Sequence, residues 1–198
     1  EVLLMDEPLA SLDSARKQEI LNYIAGLQRD LELPVLYVSH DRDEVARLAD
    51  DLLLMSRGRI EAHGNISEML TRLDLSLVHS SDAEAVISAV VCGHDEEYEL
   101  TFLDSAAGKV TVTGNELPVG ASKRIRILAR DVSITRKRQT DTSILNIFPA
   151  TVDELVPEGG AQVTVRLLVG RVPLLARITR KSAHNLGLRP GIEVFAQT

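Results

Sequence analysis

The sequence predicts an α/β segment built on a parallel sheet, followed by an all-β domain of the small barrel type. Three observations carry this. Within about the first 75 residues, short apolar runs alternate with helical patterns, a spacing that implies crossover connections between parallel strands. After about Leu75 the periodicity switches to two-residue alternation broken by turn signals. The charge also changes sign: residues 1–100 hold 8 basic and 21 acidic side chains, whereas residues 101–198 hold 14 and 8. An asymmetry of that size suggests two domains with different partners.

Val2-Leu3-Leu4-Met5-Asp6 is an apolar run closed by Asp6 and Glu7, the pattern of a strand buried on both faces. Pro8 and a turn follow, then a helix over residues 14–31. Ile20, Leu21, Ile24, Leu27 and Leu31 share one face of it, and Asp13 or Ser14 caps its start. Pro34 opens a second buried run, Val35-Leu36-Tyr37-Val38, ending at Ser39-His40-Asp41. A short helix over 43–49 leads to a third run, Leu52-Leu53-Leu54-Met55. Arg57-Gly58 turns the chain into a returning strand over 59–62, and Asn65 or Ser67 starts a last helix reaching about Leu73.

In the β region, turn signals fall at Gly93-His94-Asp95, Ala107-Gly108, Gly114-Asn115 and Gly159-Gly160. Arg124-Ile125-Arg126-Ile127 alternates basic and apolar residues. Val163, Val165 and Leu167 face one way in their strand, as Val172, Leu174, Ala176 and Ile178 do in the next. Many short strands between turns indicate a small barrel or sandwich. The segment 74–82 reads as the domain junction, with a weaker division near Asp141. Cys92, in the apolar stretch 86–92, is expected as a small buried hydrophobe.

Composition narrows the function classes. A net charge of −7 over 198 residues argues against a general nucleic-acid binder. The basic half has almost no aromatic side chains to stack bases, and a small oxyanion is attracted to it equally well. A single cysteine, Cys92, allows no intrachain disulfide and fits a cytosolic setting. No apolar run approaches the roughly 18–20 residues that cross a bilayer. The five histidines lack metal-ligand spacing.

The N-terminal motifs are specific in combination. An apolar strand ends at Asp6-Glu7, Pro8 follows, then Ala10-Ser11-Leu12-Asp13, and 27 residues after Asp13 a second strand ends at His40. Over residues 1–73 this pattern resembles the ATP-binding-cassette ATPases, and the resemblance implies part of a P-loop NTPase parallel sheet. It implies that Asp6 holds a magnesium ion through water, and that Glu7 is the base polarising the attacking water. It further implies that the Ala10–Asp13 loop, Asp13 included, contacts an opposed nucleotide-binding subunit, and that His40 touches the γ-phosphate. Such chemistry needs a metal-holding carboxylate with a water-positioning group beside it on a rigid element. Adjacent acids at a strand's C-terminal end project where ligands sit in open α/β sheets. The sequence has no G-x-x-x-x-G-K-[S/T] phosphate loop and no Leu-Ser-Gly-Gly-Gln signature. The expectation is therefore the C-terminal part of a longer ATPase, inactive by itself because nothing cradles the phosphates.

The β region resembles the transport-associated oligonucleotide/oligosaccharide-binding-like (TOBE) domains appended to import ATPases. Leu128-Ala129-Arg130-Asp131-Val132-Ser133-Ile134, followed by Thr142-Ser143-Ile144-Leu145-Asn146-Ile147, more narrowly resembles the ATPases of molybdate importers. Residues 142–198 look like one molybdenum-pterin-binding (Mop) module, with 75–141 as the first part of the β domain and 1–74 as the cassette part. The resemblance implies oxyanion ligands at Ser143, Asn146, Lys181 and Ser182, with Thr142 and Arg130 as weaker candidates. A tetrahedral dianion wants several donors and one or two positive charges. Read as residues alone, Thr142-Ser143 equally caps a short turn, Lys181-Ser182 equally forms a solvated loop, and Arg130 and Asp131 equally pair with each other or a barrel edge.

The expectation is thus the ATP-hydrolysing subunit of a molybdate or tungstate importer. It would use ATP and magnesium on the cytoplasmic face of the membrane, with a second copy and a membrane-spanning permease as partners and oxyanion as a further ligand. The rivals are an ATPase for another cargo (sulfate, sugar, polyamine or iron) and a non-enzymatic oxyanion-binding or dimerisation module.

Overall fold

The computed structural model describes residues 2–31 and 33–198, without the side chains of residues 14 and 28–31. The capping alternative at Ser14 and the apolar contribution of Leu31 lie outside the described residues. Two compact units divide between Ile66 and Ser67.

In the first unit β1 (Leu3–Asp6) pairs in parallel with β2 (Val35–Val38), in a register running from Leu3 opposite Val35 to Asp6 opposite Val38. The connection is α1 (Ser14–Leu31), whose start is capped by Asp13: its Oδ1 accepts from the Arg16 amide at 3.0 Å. Leu9, Leu21, Ile24 and Leu48 form the core, with Met5, Leu12 and Tyr37 packed on it. The parallel pair is followed by α2 (Arg42–Leu48) and an antiparallel hairpin of β3 (Asp51–Ser56) and β4 (Arg59–Asn65).

Two expectations need correction. β1 and β2 are covered on one face only: Leu3, Met5, Val35 and Tyr37 are half-buried, while Leu4 and Leu36 remain 62% and 50% exposed. An apolar run shows that a strand has apolar residues on both faces, but not that both are covered. The third run also does not extend the parallel sheet among the described residues. It pairs with its own return strand, because the Arg57-Gly58 turn, both residues at positive φ, makes the hairpin the most local pairing available.

α3 (Ile66–Met69) spans the division between the units, and the second unit continues with a 3₁₀ turn over Ser76–His79, then builds two sheets. The first, ordered β7-β6-β5-β8, contains β5 (Glu84–Asp95), β6 (Leu100–Ser105), β7 (Gly108–Thr113) and β8 (Ser122–Leu128). The second, ordered β12-β11-β10-β13-β9, comprises β9 (Ser133–Thr135), β10 (Ile147–Glu158), β11 (Gln162–Val169), β12 (Val172–Thr179) and β13 (Glu193–Gln197), with α4 (Arg180–Asn185) after β12. Both sheets feed one core: Ala85, Ile87 and Val110 from the first meet Phe148, Val165 and Leu174 from the second. The two-residue alternation predicted for β11 is present, with Val163, Val165 and Leu167 buried. β12 is also covered on its opposite face, where Leu175 packs with Leu73, Val78, Ala83 and Ala129.

Gly93-His94-Asp95 is not a turn but the end of β5, and the chain reverses over 96–99. Gly93 marks a bulge, where the pairing with β6 shifts between Val91 and Gly93. Val91 faces the core, so Cys92 points outward and is exposed, contrary to its expected burial.

Candidate functional site

The C-terminal ends of β1 and β2 bring three of the singled-out residues into one place. Asp6 ends β1 with an exposed side chain. The Glu7 amide still donates to the Val38 carbonyl at 2.9 Å, extending the ladder by one step. Glu7 then leaves the strand with φ 46°, a left-handed conformation that non-glycine residues adopt at a cost of order 1–3 kcal/mol. This turn aims its carboxylate at His40, whose Nδ1 lies 2.7 Å from Oε1. The pair faces solvent, with His40 82% and Glu7 36% exposed. The hydrogen bond and charge of Glu7 raise the imidazole pKa above its ordinary value.

Beneath His40 lies a network that the sequence analysis did not single out. Glu44, with a side chain 3% exposed, accepts from Lys17 Nζ at 3.1 Å, Tyr37 Oη at 2.8 Å and Ser39 Oγ at 2.7 Å. Asp41 caps α2 by accepting the Asp43 amide at 2.9 Å, and also accepts from Lys17 Nζ at 2.8 Å. Ser39 Oγ accepts the Asp41 amide at 3.0 Å. Lys17 holds the Asp41 carboxyl below its usual range, while Asp41 and Glu44 raise the Lys17 ammonium. Burial, then Glu44, pushes the Tyr37 phenol well up. The local signal was available, since Asp41-x-x-Glu44 has capping-box spacing. The Lys17 partnership spans 27 residues and was not. Asp13 sits apart from these residues at the start of α1, where it also pairs with Arg16 at 3.6 Å.

The oxyanion candidates are differently disposed. Arg130, in a 3₁₀ turn over Ala129–Asp131, pairs with Asp82 at 3.1 Å. Thr142 Oγ1 accepts the Ile144 amide at 3.2 Å in a local turn, and Ser143 is exposed beside it. The Asn146 side chain is bonded at both ends to the backbone of Thr111, with Oδ1 accepting the amide at 2.8 Å and Nδ2 donating to the carbonyl at 2.9 Å. Lys181 and Ser182 belong to α4 rather than to a loop. Thr179 caps that helix, accepting the Ser182 amide at 3.0 Å, with its hydroxyl 2.8 Å from Ser182 Oγ. Register places the two groups far apart: 142–146 precede the Ile147 end of β10, whereas Thr179 registers with Gln162, and Gln162 with Glu158 at the opposite end. Among the described residues, no group of three or more His, Cys, Asp or Glu side chains is arranged to hold a metal ion.

Residues 142–198 match the TOBE domain. The molybdenum import ATP-binding protein ModC of Albidiferax ferrireducens is 53% identical over 99% of this chain and 53% of its own length. Those of Aromatoleum aromaticum and Thiobacillus denitrificans are 50% and 51% identical over 99% of this chain, covering 52% and 54% of theirs. The chain spans about half the length of the curated relatives it matches. In fold it is similar to the molybdate-bound cytoplasmic molybdate-binding protein ModG, with TM-score 0.50 and 21% identity over 57% of this chain and 87% of that one. Over nearly its whole length, then, the chain is similar to part of the molybdenum import ATP-binding proteins, and residues 142–198 match the TOBE domain.

Proposed function

We propose that the chain is the C-terminal portion of the ATP-hydrolysing subunit that energises molybdate or tungstate import. In this reading residues 1–74 belong in sequence to the cassette part, although 67–74 pack within the second unit, 75–141 begin the β domain and 142–198 form a Mop-type module. The observation that carries the reading is the 2.7 Å contact between Glu7 and His40 beside Asp6, at the C-terminal edge of a parallel strand pair. The names of the relatives, molybdenum import ATP-binding proteins, support the cargo.

The residues present fit a magnesium site of the kind that holds nucleotide phosphates, which takes one or two protein carboxylates and completes its shell with water and phosphate. Asp6 is the carboxylate that would hold the ion through water. When bound, magnesium neutralises charge on the phosphates. Glu7 accepts a proton from, and orients, the attacking water. His40, bonded to Glu7 through Nδ1, keeps Nε2 for the γ-phosphate, and the raised imidazole pKa favours the protonated ring that donates there. Asp13 contributes to the opposed subunit's site from the cap of α1. The 198 residues contain no phosphate loop or signature sequence, so this chain alone does not turn over ATP.

In the β unit, Ser143, Asn146 and Thr142 at one end of β10, and Lys181 and Ser182 at the other, are the proposed oxyanion donors, with Arg130 a subsidiary cation. Because the groups lie at opposite ends, one oxyanion touching both requires a second copy. The other partner is a membrane-spanning permease, with this subunit peripheral on the cytoplasmic face and nucleic acid playing no part. No helix among the described residues is long and apolar enough to cross a membrane. Bound oxyanion regulates transport only if it prefers one state of the ATP cycle, and we assign it to the state with the nucleotide dimer open.

Magnesium-ATP turnover tests the reading. Glu7→Gln in the intact subunit should lower the rate by about 10²–10⁴-fold, and the 198-residue chain should show none. Turnover by this chain above its own Glu7→Gln control, or a wild-type rate for the intact variant, overturns it.

A further inference from the structure

We propose that Lys17 is a positioning residue that ties the Asp13 end of α1 to the turn carrying His40, so that the two move together. Lys17 is fixed in the first turn of α1: its amide donates to the Asp13 carbonyl at 2.9 Å, while the Asp13 side chain caps the same turn. Its ammonium leaves the helix to reach Asp41 Oδ2 at 2.8 Å and Glu44 Oε1 at 3.1 Å. Asp41 is the residue after His40 and the cap of α2, and Glu44 holds Tyr37 and Ser39 on the near side of the same turn. One cation therefore grips both carboxylates that shape residues 37–44.

The pairing is more than a surface contact. Lys17 is 23% exposed and Asp41 31%, against 3% for Glu44. Exposed ion pairs contribute about 0–1 kcal/mol, but removing one partner of a buried pair leaves an uncompensated charge. The charged groups acting on His40 are Glu7 just after β1, Asp41 at the cap of α2 and Glu44 within α2. Lys17 reaches the two on α2, and so acts on His40 through the backbone that carries it.

The tie is built from this chain's own side chains. Its use, to pass a displacement of the Ala10–Asp13 loop on to His40 when an opposed subunit presses on it, rests on the proposed ATPase reading. The blander role is simple charge balance for the buried Glu44, and the Lys17→Met/Glu44→Gln double variant separates the two. Amide exchange at Asp43 and Glu44 and the His40 ring ¹⁵N shifts would be measured on the 198-residue chain without nucleotide. Lys17→Met should speed exchange at both amides by about tenfold or more and move the His40 signals away from those of the Glu7-bonded ring. Lys17→Arg should restore both. The double variant should recover thermal stability yet keep the altered exchange and His40 signals. Wild-type exchange and His40 shifts in the double variant overturn the proposal. Because no nucleotide is involved, that outcome leaves the ATPase reading to stand or fall on turnover.

Discussion

Asn146 makes to Thr111 both hydrogen bonds that a neighbouring strand would make, accepting its amide and donating to its carbonyl. Thr111 lies in β7, the edge strand of the first sheet, and Asn146 immediately precedes β10 of the second. One side chain thus satisfies part of an open edge and fastens the start of β10 to it. The Asn146 carbonyl also accepts the amide of Thr198, so the C-terminus meets the same point.

Asn146→Ala should therefore destabilise the β unit before any ligand is considered. Leaving a backbone donor and acceptor unsatisfied costs about 1–3 kcal/mol. Chemical denaturation should show a lower midpoint, and hydrogen exchange should be faster at the Thr111 amide. An unchanged Thr111 amide would mean that the contact contributes nothing to the edge.

Arg177 performs a comparable task for the 3₁₀ turn over Ser76–His79. Its guanidinium donates to the Val78 carbonyl at 2.7 Å and to the Ser80 carbonyl at 2.6 Å, holding the turn over the Leu175 face of β12. Charged hydrogen bonds of this kind contribute about 1.5–3 kcal/mol. Arg177→Met should lower stability by that order and make residues 76–82 susceptible to limited proteolysis. Resistance equal to wild type would show that apolar packing alone holds the segment.

His40 and Asp41 give opposite pH signatures. The His40 pKa is raised by Glu7, so its stabilising contribution is fully present below the ordinary imidazole value and is lost as pH rises through the folded one. Asp41 is lowered by Lys17, so its contribution is present above the ordinary carboxylate value and is lost as pH falls through the folded one. NMR titration of Glu7→Gln should return His40 towards its ordinary value and leave Asp41 low. A His40 titration unaffected by Glu7→Gln would contradict the pairing.

What the sequence made legible was local. The α1 bounds, the Asp13 cap, the two strand ends carrying Glu7 and His40, and the alternation in β11 all follow from neighbours a few residues apart. What escaped depended on distant partners or on parity. Cys92 was misread because an apolar stretch does not say which face is covered: Ile87, Ala89 and Val91 face the core, and plain alternation turns Cys92 outward with Val90. The apolar runs of β1 and β2 did not reveal that only one face is covered. The Asn146 contact with Thr111 was not legible because its partner is 35 residues away, nor was the Glu44 contact with Lys17, 27 residues distant. Register between β10, β11 and β12 was likewise needed to separate Ser143 from Lys181.

Calorimetric titration of the chain with molybdate, tungstate and sulfate tests the proposal that the β unit senses oxyanion. A Ser143→Ala/Lys181→Ala variant serves as the comparison, because those two side chains are spared the backbone duties of Asn146. Molybdate and tungstate should bind, sulfate should bind much more weakly, and binding should be lost in the variant. Sulfate binding as tight as molybdate, no binding at all, or binding undiminished in the variant would contradict the proposal.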